Sequence, residues 1–176
     1  MNERQFCFIS DQYYIDFPDD QLMKNKEKID SKFVDSPCFF AFRDVKDKDI
    51  IWLIPISSRH EKYKKIYDKN IAKYGQCTTI RFWQVLGREA AFLIQNMCPA
   101  TEKYIREVYV DKYNSPINIG NRIIQDVVTN AKAVISKVNR GKKLIFPDVL
   151  SIKNALLADL NKIRTIQLAL DDGERI

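Results

Sequence analysis

The chain has 176 residues, 45% hydrophobic and 30% charged, which is enough for a real core and excludes a disordered chain. The 29 Lys and Arg outnumber the 23 Asp and Glu, giving a net charge of +6 that favours a polyanionic partner such as nucleic acid. The longest apolar run, Ile50 to Ile56, falls far short of the about 20 residues a membrane span needs, and Met1 to Gln5 carry no signal-peptide core, so a soluble, cytoplasmic protein with no membrane partner is expected.

In chain order, Phe6 to Ile9 predicts a first short strand, and Tyr13 to Phe17 a short helix or turn stopped by Pro18. Asp19 to Lys32 is charged and reads as a solvated helix or loop; its lysines, Lys24 and Lys26 among them, offer the alternative of a flap on a phosphate backbone. Pro37 to Arg43 and Ile50 to Ser57 predict a β-hairpin around the polar turn 44–49. Its second strand is apolar on both faces and therefore central, with Pro55 marking a bulge or the point where the strand leaves the sheet.

Tyr63, Ile66, Tyr67, Ile71 and Tyr74 then recur at helical spacing, with Ser58 as N-cap, Glu61 completing a capping box and Gly75 as the stop. Ser57 and Ser58 thus stand where a strand hands over to a helix N-terminus, either as caps or as donors to an anion. The one histidine of the chain, His60, follows beside Arg59.

Thr78 to Val85 predicts a strand, Gly87-Arg88 a turn and Ala90 to Ile94 a buried returning strand. Thr101 to Ile105 begins a short helix, and 114–120 reads as a loop. Ile123 to Val138 carries a continuous apolar stripe, closed by the basic stop Asn139-Arg140-Gly141-Lys142-Lys143. Arg140 and Lys142 there serve as helix C-terminal charges or as contacts to a polyanion. Pro147 starts a final helix with its stripe running to Ile163. The tail from Asp171 is expected to fray. Strands dominate the first half and helices the second, which predicts an α+β fold on a twisted antiparallel sheet, in a single domain over 1–176.

Cys7, Cys38, Cys77 and Cys98 form no CxxC pair and each sits among apolar residues, so they read as buried free thiols of a reducing compartment. With a single histidine, no zinc site is expected, and no other metal or cofactor is called for.

Several blocks in order resemble the toxins of type III toxin–antitoxin systems. They are Leu22-Met23-Lys24-Asn25-Lys26, Pro37-Cys38-Phe39-Phe40-Ala41-Phe42, Ile54-Pro55-Ile56-Ser57-Ser58, Glu61-Lys62-Tyr63, Ala91-Phe92-Leu93-Ile94-Gln95-Asn96-Met97 and Phe146-Pro147-Asp148-Val149, spread over residues 6 to 160. The CptN-like branch looks nearest, with the ToxN and AbiQ toxins as more distant relatives. The resemblance implies a partial barrel of antiparallel strands surrounded by helices, similar to the MazF and Kid toxins. It implies a sequence-selective, metal-independent endoribonuclease that leaves 2′,3′-cyclic phosphate and 5′-hydroxyl ends. Its partner would be a small structured RNA antitoxin, a pseudoknot cut by the toxin from a repeat RNA, which closes with it into a ring-like inhibited complex. Its substrate would be cellular or phage RNA rather than DNA, and some members abort phage infection.

By the same resemblance the site falls at Ser57 and Ser58, with the basic group that follows being Arg59, His60 or Lys62, and Tyr13 contributing from near the first strand. Where the family often carries a basic residue beside the hairpin proline, this chain has Ser36 and Cys38 around Pro37. Either Arg43 substitutes or the chain is a weakened variant. For RNA cleavage through the 2′-hydroxyl, a base, an acid and positive charge on the phosphorane are needed. His60 is the one side chain here that titrates near neutrality, unless it is an exposed residue with no role. Arg59 or Lys62 would hold the phosphate and the serines would orient it.

Lys24, Lys26, Arg43, Lys62, Lys65, Arg140 and Lys142 are the RNA-binding cations, and Tyr13, Tyr14, Phe40 and Trp83 the candidates for base stacking. Phe40 and Trp83 read more readily as core. The competing readings are a non-catalytic RNA-binding module and a plain protein-interaction domain.

Overall fold

The computed structural model describes the backbone of residues 2–24, 26–29 and 32–173, and the side chains of 2–24 and 35–170. The strands are β1 (Phe6–Ile9), β2 (Lys26–Ile29), β3 (Lys32–Asp35), β4 (Cys38–Arg43), β5 (Ile51–Ser57), β6 (Ile80–Val85), β7 (Arg88–Leu93), β8 (Cys98–Ala100) and β9 (Ile105–Val108). The helices are α1 (Asp11–Asp16), α2 (His60–Tyr74), α3 (Asn121–Val138) and α4 (Val149–Gly173), with single 3₁₀ turns at 94–96 and 102–104.

All strands but β2 and β3 form one open antiparallel sheet in the order β6-β7-β5-β4-β1-β9, with β8 also beside β5. The expected α+β architecture is therefore the one observed. Among the described residues no helix is long and apolar enough to cross a membrane.

The sheet is organised by β5, buried at all 7 positions. Its alternation divides the core. Trp52, Ile54 and Ile56 face α3, where Ile123, Val127, Ala131 and Val134 complete the predicted stripe. Ile51 and Leu53 face the opposite layer, built from Tyr13 and Phe17, Tyr104, and Ile152 and Leu156 of α4. On that same face the β6–β7 end is covered by α2, through Tyr63 on Ile80, Ala91 and Leu93.

Pro55 is accommodated by a change of neighbour. On one edge β5 pairs with β8 through Ile51, Trp52 and Leu53, then with β7 through Ile56 and Ser57. Ile56 N–H points the other way, to Pro37 C=O at 3.0 Å, so the Pro55 nitrogen faces the gap between β8 and β7, where no donor is needed. The bulge lies instead on β4: Phe40 opposes Leu53 and Phe42 opposes Trp52, leaving Ala41 as the extra residue.

Four sequence expectations are corrected. The charged 19–32 stretch is not a helix or loop throughout, since β2 pairs with β3 as a separate ribbon. Residues 98–100 and 105–108 are strands, too short and too mixed to show a period of their own. The final helix begins at Val149 rather than Pro147, with the Asp148 carboxylate accepting Ser151 N–H at 3.1 Å. In the tail, α4 runs through Gly173, and 174–176 lie outside the described residues. All four cysteines are free and buried, as expected.

The 44–49 turn holds α4. Asp44 accepts Trp52 Nε1–H at 3.0 Å and Lys153 Nζ at 2.6 Å, while Arg164 bonds Asp47 and Asp49. Burial alone would raise the Asp44 carboxyl, but the bonds from Lys153 and Trp52 outweigh it and hold the group below the usual carboxylate value. Asp44→Ala is expected to cost about 3 kcal/mol at neutral pH by urea unfolding. Because the folded value is depressed, this contribution is present above the unfolded value of about 3.9 and is lost as the pH falls through the folded one. The gap between parent and variant should therefore close in acid; a gap independent of pH would refute the ionic account.

Candidate active site

The site forms where β5 runs out. Ser57 is its last residue, paired with Ala91 of β7 and 4% exposed, and the chain must turn to cross the sheet as α2. Arg59 makes that turn. Its φ of −78° and ψ of 57° are those of an inverse γ-turn, closed by His60 N–H on Ser58 C=O at 2.8 Å. Ser57 Oγ accepts Arg59 N–H at 3.2 Å and braces the turn from inside.

The N-cap is therefore Arg59, with no side-chain cap bond, and not Ser58 in a capping box. That correction leaves the exposed Ser58 hydroxyl uncommitted among the described residues. Glu61 and Lys62 N–H likewise meet no acceptor there, as the first donors of a helix do when no side chain caps them. The helix ends at Gly75, whose φ of 71° is the left-handed C-cap that its sequence position predicts.

His60 is half-buried against Phe82, ring centroids 4.8 Å apart. Its Nδ1 lies 3.3 Å from Glu89 Oε2 and 3.6 Å from Glu61 Oε1. Both carboxylates stand on the Nδ1 side of the ring, so Nε2 is the nitrogen left open to a ligand. Glu61 was expected as a capping-box member, and Glu89 has no sequence signal beyond the register of the β6–β7 hairpin, which sets it opposite Gln84.

The other predicted residues separate into those near this turn and those away from it. Lys62 and Lys65 are exposed on the first turns of α2, with Lys62 Nζ over the Tyr63 ring at 5.2 Å. Met23 packs on the cluster under α2, which brings the exposed Lys24 to the same side. Lys26 heads β2, and its side chain lies outside the described residues.

Tyr13 is corrected to core, and Phe40 is core as more readily expected, which overturns its alternative as an RNA contact: both are fully buried, and the Tyr13 hydroxyl donates to Pro99 C=O at 2.8 Å, so neither offers a face to a base. Arg43 pairs with Ile51 at the far end of β5, about 20 Å from Ser57 at the usual strand rise, and binds Glu102 at 2.6 Å. That is the other end of the hairpin from Pro37, whose C=O meets Ile56 N–H. Arg140 bonds back to Ser136 C=O of its own helix, and Lys142 lines a separate hollow of about 350 Å³ with Ile145 and Phe146. Trp83 is 45% exposed, against the expectation that it is core.

Among the described residues, no three of His, Cys, Asp and Glu gather as a metal site. The sequence matches no protein-family model and no curated protein. Among solved structures the chain superposes on AbiQ, a lactococcal anti-phage endoribonuclease belonging to the type-III toxin-antitoxin system. The fold is similar to that of AbiQ. The TM-score is 0.62 over 93% of this chain and 99% of that one, at 13% identity, and at that identity it is the fold that the two share.

The two serines should behave differently. Ser57→Ala removes a buried bond and is expected to lower stability by about 1 kcal/mol. Ser58→Ala should stay within about 0.5 kcal/mol of the parent. Urea unfolding of the two variants checks this, and the reverse order would mean that the turn is braced from the other side.

Proposed function

We propose that this chain is an endoribonuclease toxin of the type III toxin–antitoxin kind, acting without a metal. One observation carries the reading: the turn after the central strand collects a free hydroxyl, two open N–H donors, a guanidinium and an oriented imidazole within five consecutive residues. It does so on a fold shared with AbiQ.

In this reading the RNA supplies its own nucleophile. His60 Nε2 exchanges the proton of the 2′-hydroxyl or of the leaving 5′-oxygen. The scissile phosphate sits against Glu61 and Lys62 N–H, and Arg59 and Lys62 neutralise its developing charge. Ser58 orients a phosphate oxygen, since a serine hydroxyl without an activating base is a poor proton acceptor. Ser57 shapes the turn and does not touch the ligand. The products are a 2′,3′-cyclic phosphate and a 5′-hydroxyl.

The partner is a structured RNA antitoxin that the toxin cuts from repeats and that closes over the turn in a ring-like complex. The free substrate is cellular or phage RNA. The CptN-like blocks of the sequence favour that branch of the superfamily. A non-catalytic RNA-binding module is the second reading, and it draws on Arg43: that cation is bound to Glu102 at the far end of β5, away from Pro37.

Purified protein incubated in EDTA with mixed-sequence RNA should yield cyclic-phosphate and 5′-hydroxyl ends. The Ser58→Ala/His60→Ala protein should yield none. RNA that is bound in a salt-dependent manner and left uncut would replace the enzyme with the binding module.

A further inference from the structure

β6 and β7 are joined by Leu86 and Gly87, with φ of 52° and 73°, the paired left-handed conformations of a two-residue hairpin turn. β6 is the outer strand of the sheet, so the hairpin projects one edge into solvent. On it lies a concavity of about 610 Å³ lined by Phe82, Trp83, Leu86, Gly87, Glu89 and Asn118.

Three features single this concavity out. It exposes 45% of Trp83 and 50% of Leu86, whereas the other tryptophan, Trp52, is 1% exposed. Tyr74, Tyr113 and Phe146 are exposed as well, but of these rings it is Trp83 that lines this concavity, and an uncovered indole in a hollow offers a flat partner a stacking face. Secondly, it reaches the candidate site round the β6 edge: Phe82 and Glu89, which His60 touches, are on the α2 face, and Trp83, opposite Ala90, is on the α3 face. Thirdly, its surroundings are cationic. Arg88 follows Gly87 and Arg122 lies in the first turn of α3, both are exposed, and neither meets an acid among the described residues.

We infer that this concavity is a nucleobase subsite for single-stranded RNA. Trp83 supplies the stacking face for a base that reaches round the β6 edge from the phosphate held at the 58–62 turn, and Arg88 and Arg122 hold the adjoining backbone. Polar contacts to the base edge come from the Glu89 carboxylate and the Asn118 amide. The main-chain groups of Phe82 and Gln84 add to them, since these turn outward when Val85 and Arg88 close the turn as a hydrogen-bonded pair. Stacking tolerates any base, whereas the polar edge discriminates, so the subsite sets preference at one position beside the cut. The inference rests on the endoribonuclease reading for the identity of its ligand.

The test uses short single-stranded RNA of mixed sequence. Binding is measured on the Ser58→Ala/His60→Ala protein and cleavage on the parent. Trp52 is buried, so acrylamide-quenchable emission belongs to Trp83, and bound RNA should shield it. Trp83→Ala should weaken binding roughly ten-fold, with Trp83→Phe within about three-fold of the parent. The dependence on salt should not change, because no phosphate contact is lost. In the cleaving protein, Trp83→Ala should flatten base preference at one position beside the cut.

If RNA is bound and cut while Trp83 stays open to quencher and its variants match the parent, the subsite is wrong and the endoribonuclease reading stands. RNA neither bound nor cut overturns both. Shielding of Trp83 that grows with protein concentration in the absence of RNA makes the surface a contact between copies of the chain and also overturns the subsite.

Discussion

Everything in this molecule is arranged around the burial of β5 from both faces and both edges. A strand with no exposed face must be apolar at every position, and Ile-Trp-Leu-Ile-Pro-Ile meets that demand. A strand with no exposed edge must also satisfy its main chain on two sides. β4 does so along one side for the length of the strand, while β8 and β7 divide the other. Pro55, which would break a continuous ladder, falls at the division. The bulge at Ala41 then turns Phe42 to the α3 layer, which already holds Phe39, while Phe40 stays in the α1–α4 layer.

The candidate site is a consequence of the same constraint. When a fully buried strand ends, its last side chain is still interior and its next backbone groups have no ladder to join. Ser57 answers the first condition by bonding inward to Arg59 N–H, and the γ-turn at Arg59 answers part of the second. What remains unmet, Glu61 and Lys62 N–H and the Ser58 hydroxyl, is what faces out. Polar groups that the fold cannot satisfy internally are thus placed at one point of the surface, beside the half-buried imidazole. The two acids at His60 Nδ1 come from different elements, α2 and β7, so ring orientation depends on the β5–β7 pairing that also defines the end of the strand.

The parts of this that sequence conveys are those with a period or a turn residue. The 37–57 hairpin, the α3 stripe and the Gly75 stop each have one, and each is observed where expected. β8 and β9 have none: three and four residues cannot display alternation, and Pro99 argues against a strand until it is seen opposite Trp52, in a position where its missing N–H is not required. Aromatic residues mark where periodicity stops informing. Tyr13 and Trp83 both look amphipathic, and only three-dimensional packing decides that the first hides its hydroxyl on Pro99 while the second sits at an uncovered edge. The candidate turn itself was visible as Ser-Ser-Arg-His after an apolar run, but the division of labour between the two serines was not, because it depends on which way the last residue of β5 points.

The net charge of +6 gains meaning from how the acids are used. Asp44, Asp47 and Asp49 are spent on Lys153 and Arg164, so the contact that fastens α4 to the β4–β5 turn is internally neutral. On α2, by contrast, Lys64 pairs with Asp68, while Lys62, Lys65 and Lys69 face solvent with no acid beside them among the described residues. Part of the positive excess therefore lies on the helix whose first turn bears His60. A polyanion drawn to that helix by counterion release arrives at its N-terminal end, where the open N–H groups add to the attraction instead of opposing it. Long-range steering and the short-range chemistry then belong to a single element, and a screened charge on α2 would weaken arrival without disturbing the turn that β5 holds in place.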